Sequence, residues 1–524
     1  MPRRDRLTLG WILLGALLLR LVVMWMPGDP MFENGNLPYE ELLRGNATYD
    51  LMHGRLLPLL DYQVNHFTGG SLAVSILAMP FFWALGPTFN VLRLVSLLFS
   101  VPLVLVIFLV AYRWHGRRAA IVASLLVAFG PPGFVFLSCT VYGTHPETNL
   151  LAVGLVWLAF GWRDAGRGGM LRTFLFGTAI GFALWFSYGL TVIVGILLLC
   201  EFATIGMRRA RATDLPLGIG FVLGFSPWIA YMATHPGRAF HIYGESISEH
   251  FQAGLSHGGA LAKVGRLIAK DGPDAFWMHG AWEQGGLQIA RLFLYAFVGA
   301  ILWCAWTGRG EIAAFGRALV GRRDGFKPTL RLVALLFVCA WFVAFAVTDF
   351  EVDWFSWVQG YRYLIPFWPF MAILLGIAVQ DLASRGRARV PAAAVAVVCC
   401  TFLGFTLAQV RPERWSTQWA APATKPLWNL RMLVLRFGND AETMQYVLRR
   451  AIEVRTPDEQ QALVSGLAAG IARFATVKGQ DEWEEARRRE YAATLTDLRT
   501  SGPELFRPVF ERARIAALEK YGTR

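Results

Sequence analysis

The chain has 524 residues, of which 55% are apolar and only 17% are charged, and its mean hydropathy is +0.42. Soluble domains carry about 25% charged residues, so this composition excludes a soluble globular enzyme, a disordered chain and a disulfide-rich secreted domain. The formal net charge of +13 favours nucleic-acid binding only where basic residues share one surface, so their positions along the chain decide its meaning.

Apolar runs long enough to cross a bilayer recur from the N-terminus onward, because about 20 helical residues span the hydrocarbon core. A further apolar stretch, Ser71–Leu85, contains Pro80, and we interpret it as an interfacial or re-entrant helix. The sequence predicts an all-α polytopic membrane protein with 11 spans: Leu7–Met26, Val91–Ala111, Ala119–Leu137, Thr148–Gly161, Thr173–Gly189, Leu190–Gly206, Leu215–Ala233, Ile289–Trp306, Leu330–Thr348, Tyr363–Asp381 and Val390–Val410.

Basic residues are unevenly distributed between the two sides of the predicted bundle. With a cytoplasmic N-terminus, the inner loops hold 21 Arg and Lys residues and the outer loops before residue 411 hold 7. Because cytoplasmic loops carry an excess of Lys and Arg, this pattern predicts a multi-pass plasma (inner) membrane protein with its N-terminus in the cytoplasm. The basic charge of this part therefore reports topology, and we expect no nucleic-acid partner.

Polar residues of the predicted outer face lie in the loops 27–90, 138–147, 234–288 and 349–362. The first of these loops holds 6 carboxylates against 2 arginines, which is unusual for a simple tether. Long loops in a compact assembly tend to be functional. We therefore expect the functional site on the outer face, where carboxylates, His and Arg come together.

The segment from Gln359 to Pro369 reads Gln-Gly-Tyr-Arg-Tyr-Leu-Ile-Pro-Phe-Trp-Pro. It resembles the Arg-Tyr-Leu-x-Pro-x-x-Pro segment of GT-C membrane glycosyltransferases, which include protein O-mannosyltransferases and the lipid A aminoarabinose transferase. The order of features also agrees: Glu33 follows the first span, an interfacial helix ends the first outer loop, and Glu147 lies in the next outer loop. The resemblance covers roughly residues 1–410. It implies a GT-C-type bundle that transfers a sugar from a polyprenyl-phosphate donor with inversion at the anomeric carbon.

Such a reaction needs a carboxylate to take the proton of the acceptor hydroxyl and cations to stabilise the departing lipid phosphate. Arginine suits the second task because its planar fork matches phosphate. No metal-ligand spacing is recognisable, and no metal or other cofactor is firmly implied. The resemblance assigns Glu33 as the base and Glu147 as a second acid, Arg362, Tyr363, His66 and His145 as donor-phosphate ligands, and Glu40 and Tyr62 as acceptor-side or supporting residues.

Each of these side chains also has a simpler interpretation. Glu33 fits a solvated loop carboxylate, and His145 fits a solvent-exposed loop histidine. Glu40 and Glu147 each follow a proline near a helix start, where carboxylates favour the positive end of the helix dipole. Arg362 fits an interfacial anchor within an aromatic belt.

Two further features concern arginine and cysteine residues within the apolar segments. Arg20 lies inside the first span, where an arginine costs about 2.5–3.5 kcal/mol at the helix centre, so it must face a partner or a cavity, or snorkel to the interface. The 6 cysteines lie within or at the ends of apolar segments, without metal-ligand spacing, and we interpret them as small packing residues.

The composition changes after the last span, and residues 411–524 form a predicted soluble α-helical domain on the outer (periplasmic) side. Thr456-Pro457-Asp458-Glu459 is a capping box with proline at the first helical position. Leu463, Leu467 and Ile471 then recur at helical spacing. This domain carries no catalytic constellation, and it fits either a docking module for an acceptor or protein partner or a plain folded cap.

The sequence thus predicts a membrane glycosyltransferase whose partners are membrane lipid, a polyprenyl-phosphate sugar, and a glycan, lipid or protein acceptor. Two alternatives stay open at this point. One is a non-enzymatic lipid or polysaccharide transporter or flippase, although the paired broken helices of such proteins are not visible. The other is a membrane scaffold whose helical tail recruits partners.

Overall fold

The structure is a computed structural model, and nearly all of its described residues lie in helices. It describes residues 1–25, 39–55, 57–62, 69–141, 145–164, 169–205, 214–234, 241–242, 245–246, 259–267, 269, 272–275, 283–321, 326–347, 362–386 and 389–408, with isolated positions at 453, 456, 457, 460 and 511. The predicted domain of residues 411–524 lies outside this part, apart from those isolated positions, and stays a prediction.

The helices are named here in chain order. They are α1 Arg3–Trp25, α2 Tyr39–His53, α3 Gly70–Leu85, α4 Phe89–His115, α5 Arg117–Ala128, α6 Pro132–Leu137, α7 His145–Asp164, α8 Met170–Phe186, α9 Thr191–Ile205, α10 Asp214–Thr234, α11 Gly259–Arg266, α12 Gly272–Ala275, α13 Glu283–Thr307, α14 Arg309–Leu319, α15 Leu330–Val347, α16 Phe367–Ser384 and α17 Arg389–Ala408. Short 3-10 turns lie at Leu59–Tyr62, Tyr188–Leu190 and Arg362–Leu364. The strands β1 His241–Ile242 and β2 Glu245–Ser246 form one antiparallel hairpin.

The chain divides into two compact units. The first comprises Met1–Asn36, Asn65–Ser71 and Arg93–Gln418, and it contains most of the long apolar helices. The second comprises Leu37–Val64, Leu72–Leu92 and Trp419–Arg524. The second unit therefore includes α2 and most of α3 from the predicted outer loop.

The prediction of a polytopic membrane protein is confirmed. Within the described residues, 6 helices are long and apolar enough to cross a membrane, and these are α1, α4, α10, α13, α15 and α16. Three more predicted spans correspond to the shorter apolar helices α8, α9 and α17. The predicted interfacial segment is the apolar helix α3, and the count of 11 spans stays a prediction.

The predicted span Ala119–Leu137 is interrupted in the structure. Its first part is α5, which ends at Ala128, and its second part is the short helix α6, which begins at Pro132. The helix is interrupted at Gly130 and Pro131, and Pro132 begins α6, because proline removes a backbone donor and disfavours helix in the residue before it. Hydropathy alone did not reveal this break.

Ion pairs join helix ends that the predicted topology places on the inner side. Arg117 at the start of α5 lies 2.6 Å from Asp5 of α1, and Arg113 at the end of α4 lies 2.8 Å from Asp164. In the same way, Arg331 of α15 lies 3.0 Å from Asp381 of α16. These contacts agree with the relative sidedness predicted for the basic loops.

Arg20 is fully buried in the first unit and does not snorkel to the interface. Its guanidinium donates to the Ala128 carbonyl at 3.1 Å, to the Val127 carbonyl at 3.1 Å and to the Ala16 carbonyl of its own helix at 3.3 Å. Ala128 is the last residue of α5, so its carbonyl lacks a partner within that helix. The charge also lies at the negative end of the helix dipole. Arg20 therefore caps α5 and joins it to α1.

Helices α8 and α10 approach each other closely through four glycines. A Cβ added at Gly177 or Gly181 of α8 would lie 2.1–2.2 Å from a backbone oxygen of α10, that of Leu217 or Phe221. A Cβ added at Gly220 or Gly224 of α10 would meet a backbone oxygen of α8 at the same range of distances. Small residues spaced four apart allow such close contact between membrane helices.

Candidate functional site

The turn Arg362–Leu364 connects the predicted last outer loop to α16. The Arg362 side chain is buried, with 2% of the residue exposed. Its Nη2 donates to the Tyr363 hydroxyl at 3.1 Å, and its guanidinium carbon lies 5.0 Å from the centre of the Tyr363 ring. This cation–π and hydrogen-bonding geometry orients the arginine fork. An arginine buried here is therefore more than a surface anchor.

Trp341 of α15 holds the backbone of this turn. Its indole Nε1 donates to the Tyr363 carbonyl at 2.9 Å. Tyr363 and Leu364 also pack beside Phe345 of α15 and Leu267, which follows α11. Lys263 of α11 lies over the Phe345 ring at 4.7 Å. The turn is thus fixed by aromatic side chains of α15, and a second cation lies on one of these rings.

An apolar cavity of about 170 Å³ begins next to this turn. The wall contributed by α13 has Leu294, Val298 and Ile301 at helical spacing, and α15 contributes Val338 and Phe342. The remaining lining is Pro131, Gly133, Phe134, Leu137, Leu267, Gly272, Leu364, Ile365, Phe367, Trp368 and Met371. Apolar cavities of comparable size, about 150 Å³, bind apolar ligands. This cavity can therefore hold a hydrocarbon segment whose end reaches the turn that contains Arg362.

Glu147 lies in the first turn of α7 and is fully buried, with 0% exposed. Its neighbours Thr148 and Asn149 are buried as well. Helix α7 contacts the turn Arg362–Leu364, and it also contacts the turn Tyr188–Leu190. Glu147 is thus a buried carboxylate at the N-terminal end of α7, where it favours the helix dipole, and its role at the site stays a prediction.

The second unit contains its own buried polar cluster. The Tyr62 hydroxyl donates to Asp50 Oδ2 at 3.0 Å and accepts from the Leu57 backbone N–H at 3.2 Å. Glu41 is fully buried in α2. Sequence reasoning chose Glu40, whose side chain lies outside the described part of the chain. It assigned no role to Asp50 or to Glu41, which is adjacent to Glu40, because the weakly amphipathic pattern of α2 gave no sign of which side is buried.

The predicted site residues divide into three groups. Glu147, Arg362 and Tyr363 belong to the first unit, in α7 and in a turn that contacts it. Tyr62 belongs to the second unit, and His145 begins α7 with a side chain that lies outside the described residues. Glu33 and His66 also lie outside the described residues. The roles of all these residues stay predictions.

The described residues of the site can also be compared with the requirements of a metal-binding site. Among the residues that the structure describes, no group of three or more His, Cys, Asp or Glu side chains is close enough to hold a metal ion. The charged groups of the described site are instead a guanidinium, an ammonium and a carboxylate. The two cations can bind an anion, and the carboxylate can accept a proton.

Comparison with known proteins gives similarity in structure alone. No protein family and no curated protein matches the sequence. ArnT from Cupriavidus metallidurans bound to undecaprenyl phosphate is similar at a TM-score of 0.47 and 14% identity, over 96% of this chain and 85% of that one. The Archaeoglobus fulgidus oligosaccharyltransferase in the apo form is similar at a TM-score of 0.42 and 15% identity, over 88% of this chain.

A further similarity is to AglB from Archaeoglobus fulgidus in complex with an inhibitory peptide and a dolichol-phosphate, at a TM-score of 0.42 and 13% identity. This chain covers 59% of the length of that protein and of the apo oligosaccharyltransferase. All three have TM-scores below 0.5 and low sequence identity, so no activity follows for this chain from these similarities.

Proposed function

We propose that the protein is an integral membrane glycosyltransferase that moves a sugar from a polyprenyl-phosphate donor to an acceptor on the outer face of the membrane. The observation that carries this proposal is that the turn with the buried Arg362 also lines an apolar cavity, through Leu364. A ligand that binds both the guanidinium and the cavity has an anionic head and a long hydrocarbon tail. A lipid-linked phosphate has both parts, and the Arg-Tyr-Leu-x-Pro-x-x-Pro resemblance favours a sugar as the group it carries.

The phosphate end of the donor binds Arg362 and Tyr363. Charge grows on this phosphate as the sugar departs, so a fixed guanidinium stabilises the transition state more than the ground state. The tyrosine ring and the Trp341 indole hold the arginine turn in place before the donor arrives. The cavity lined by Leu294 and Val298 takes the first prenyl units.

A carboxylate takes the proton from the acceptor hydroxyl as that oxygen attacks the anomeric carbon. Because inversion proceeds in one displacement, a single base is enough. Glu33 is the proposed base, and Glu147 is the proposed second acid, which binds the acceptor or orients the base. His66 and His145 are proposed to assist at the phosphate, and Glu40 and Tyr62 to assist on the acceptor side.

The test is a transfer assay with purified protein in nanodiscs and a polyprenyl-phosphate sugar. Release of free polyprenyl phosphate reports turnover for any acceptor present in a membrane extract. We expect R362Q, E33Q and E147Q to lower this rate by at least about 100-fold, within the range of a lost general base or anion-stabilising group. R172Q, which alters an exposed arginine at the start of α8, is the matched control and keeps the wild-type rate.

The assay also separates the proposal from its competitor. A flippase that holds the same lipid moves a labelled polyprenyl-phosphate sugar between leaflets without breaking the sugar–phosphate bond. Lipid movement without release of polyprenyl phosphate, in the presence of acceptor extract, would replace the transferase proposal by the transporter. Wild-type turnover in both E33Q and E147Q would refute the carboxylate mechanism.

A further inference from the structure

Helix α14 and the end of α13 expose an unusual mixture of residues on the predicted inner side. Trp306 is 66% exposed and Val320 is 78% exposed, and Ile312 is also exposed. Arg309 and Arg317 are exposed on the same helix. We call these five residues the inner patch. The opposite side of α14 is packed into the protein through Phe315 and Ala318, so the inner patch faces away from the bundle.

Cations exceed anions around this patch. Residues 309–327 contain 5 basic residues and 2 acidic ones, and one of the acidic residues is Glu311. Glu311 is already engaged, because its carboxylate accepts a hydrogen bond from Thr329 and lies 3.7 Å from Arg331. Among the described residues, no carboxylate oxygen lies within 4.0 Å of the guanidinium groups of Arg309 and Arg317.

The Arg309 guanidinium is held in place by an aromatic ring. Its central carbon lies 4.4 Å from the centre of the Trp306 ring, a cation–π distance. Tryptophan is enriched at membrane interfaces, where its ring sits at the level of the lipid headgroups. A cation stacked on an exposed tryptophan at the end of a predicted span is thus suited to bind a headgroup phosphate. Ile312 and Val320 lie nearby for contact with acyl chains.

We propose that the inner patch binds anionic phospholipid, with Arg309 and Arg317 on the headgroup phosphate and Ile312 and Val320 against the acyl chains. The occupant is a phospholipid because the patch combines cations, an interfacial tryptophan and exposed aliphatic side chains on one face. Helix α14 joins two predicted spans, α13 and α15, so we expect it at the level where both spans leave the membrane, which is where lipid headgroups lie. The site is separate from the cavity next to Arg362 and does not depend on the proposed function.

Native mass spectrometry of the full-length protein tests this site. The protein is released from nanodiscs of phosphatidylcholine with phosphatidylglycerol, and retained phosphatidylglycerol is counted at increasing lipid concentration. Each basic residue near an anionic surface contributes about 1 kcal/mol, so R309Q/R317Q should weaken the tightest phosphatidylglycerol site by about 30-fold. R309K/R317K keeps both charges and should retain most of the affinity.

The matched control is R3Q/R4Q, which removes two exposed arginines from the same predicted side and the same net charge. It should bind phosphatidylglycerol as the wild type does. Equal weakening in R3Q/R4Q and R309Q/R317Q would show nonspecific charge attraction and overturn the proposal, as would unchanged retention in R309Q/R317Q. If the double variant fails to fold, the single variants R309Q and R317Q are measured, with about 5-fold weakening expected in each.

Discussion

The contact between α8 and α10 allows a sharp test of packing in the first unit. At each glycine of this contact only a hydrogen atom fits where any other residue would have its Cβ. The variant is Gly220→Ala in α10. Its new methyl group would lie 2.1 Å from the Phe174 carbonyl oxygen, whereas ordinary contact begins at 3.4 Å. The obstacle is backbone rather than a flexible side chain, so the two helices must separate.

The magnitude follows from this geometry. Overpacking a tight interface costs about 1–3 kcal/mol, and each close Cα–H···O interaction that breaks on separation adds about 0.5–1 kcal/mol. Alanine favours helix over glycine by up to about 1 kcal/mol, which opposes the loss. We therefore expect Gly220→Ala to lower the free energy of unfolding by about 1–3 kcal/mol.

Gly218 provides the matched control on the same helix. A Cβ added there meets no atom within 4 Å, so Gly218→Ala keeps the close contact and should be neutral or slightly stabilising. The assay is reversible unfolding in mixed micelles of increasing SDS fraction, followed by circular dichroism. Equal stability of the two variants would refute the reasoning.

A double variant adds a second check. A Cβ added at Gly177 of α8 would lie 2.1 Å from the Leu217 carbonyl oxygen, in the same crossing. Once one alanine has separated the helices, the second meets less resistance, so G177A/G220A should cost less than the sum of its single variants. Full additivity would indicate two independent local distortions instead of one shared separation.

Three further predictions concern buried polar groups. Arg20→Met leaves the Val127 and Ala128 carbonyls without their donor, at about 1–3 kcal/mol for each buried group, so the SDS unfolding midpoint should fall and wild-type stability would contradict the cap. Tyr62→Phe removes the hydroxyl that bridges Asp50 and the Leu57 amide, so hydrogen exchange of the Leu57 amide should become faster. The control Tyr295→Phe, at an exposed ring, should leave this exchange rate unchanged. Burial raises the pKa of the Cys139 thiol to about 11. At about pH 8, near the ordinary thiol pKa, iodoacetamide should therefore modify Cys139 only after the protein unfolds. Rapid labelling of Cys139 in the native protein would contradict its burial.

Much of the helical framework could be predicted, because a membrane imposes long apolar helices that hydropathy detects. The span near Ala119–Leu137 was not predicted correctly, since hydropathy counts apolar residues and overlooks the break at Gly130-Pro131-Pro132. The glycines of α8 and α10 are visible in the sequence at spacing four. Which helix they contact depends on the fold of the intervening chain and cannot be obtained from spacing.

In the site too, features set by local sequence could be predicted, whereas contacts between distant segments could not. Arg362 and Tyr363 were predicted as phosphate ligands from a local motif; the structure shows that Arg362 is buried beside the Tyr363 ring, and their binding of phosphate stays a prediction. The partners of Arg20 lie 107 and 108 residues away along the chain, so only the need for a partner was predictable. Leu294, Val298 and Ile301 line the cavity, but an apolar stripe facing a cavity has the same pattern as one facing lipid.

The central claim is that a lipid phosphate binds with its head at Arg362 and its tail in the adjacent cavity. The measurement is the affinity of polyprenyl phosphate for purified protein in nanodiscs, determined by displacement of a photoreactive analogue. R362Q removes the proposed ligand of the phosphate head, and Leu294→Trp fills the cavity from α13 and so excludes the tail. Leu292→Trp, at a residue that is 65% exposed on the same helix, is the control. We predict that R362Q and L294W each weaken binding at least about tenfold, equivalent to ~1.4 kcal/mol, while L292W binds as the wild type does. Equal affinity in all four proteins would contradict the proposed donor site.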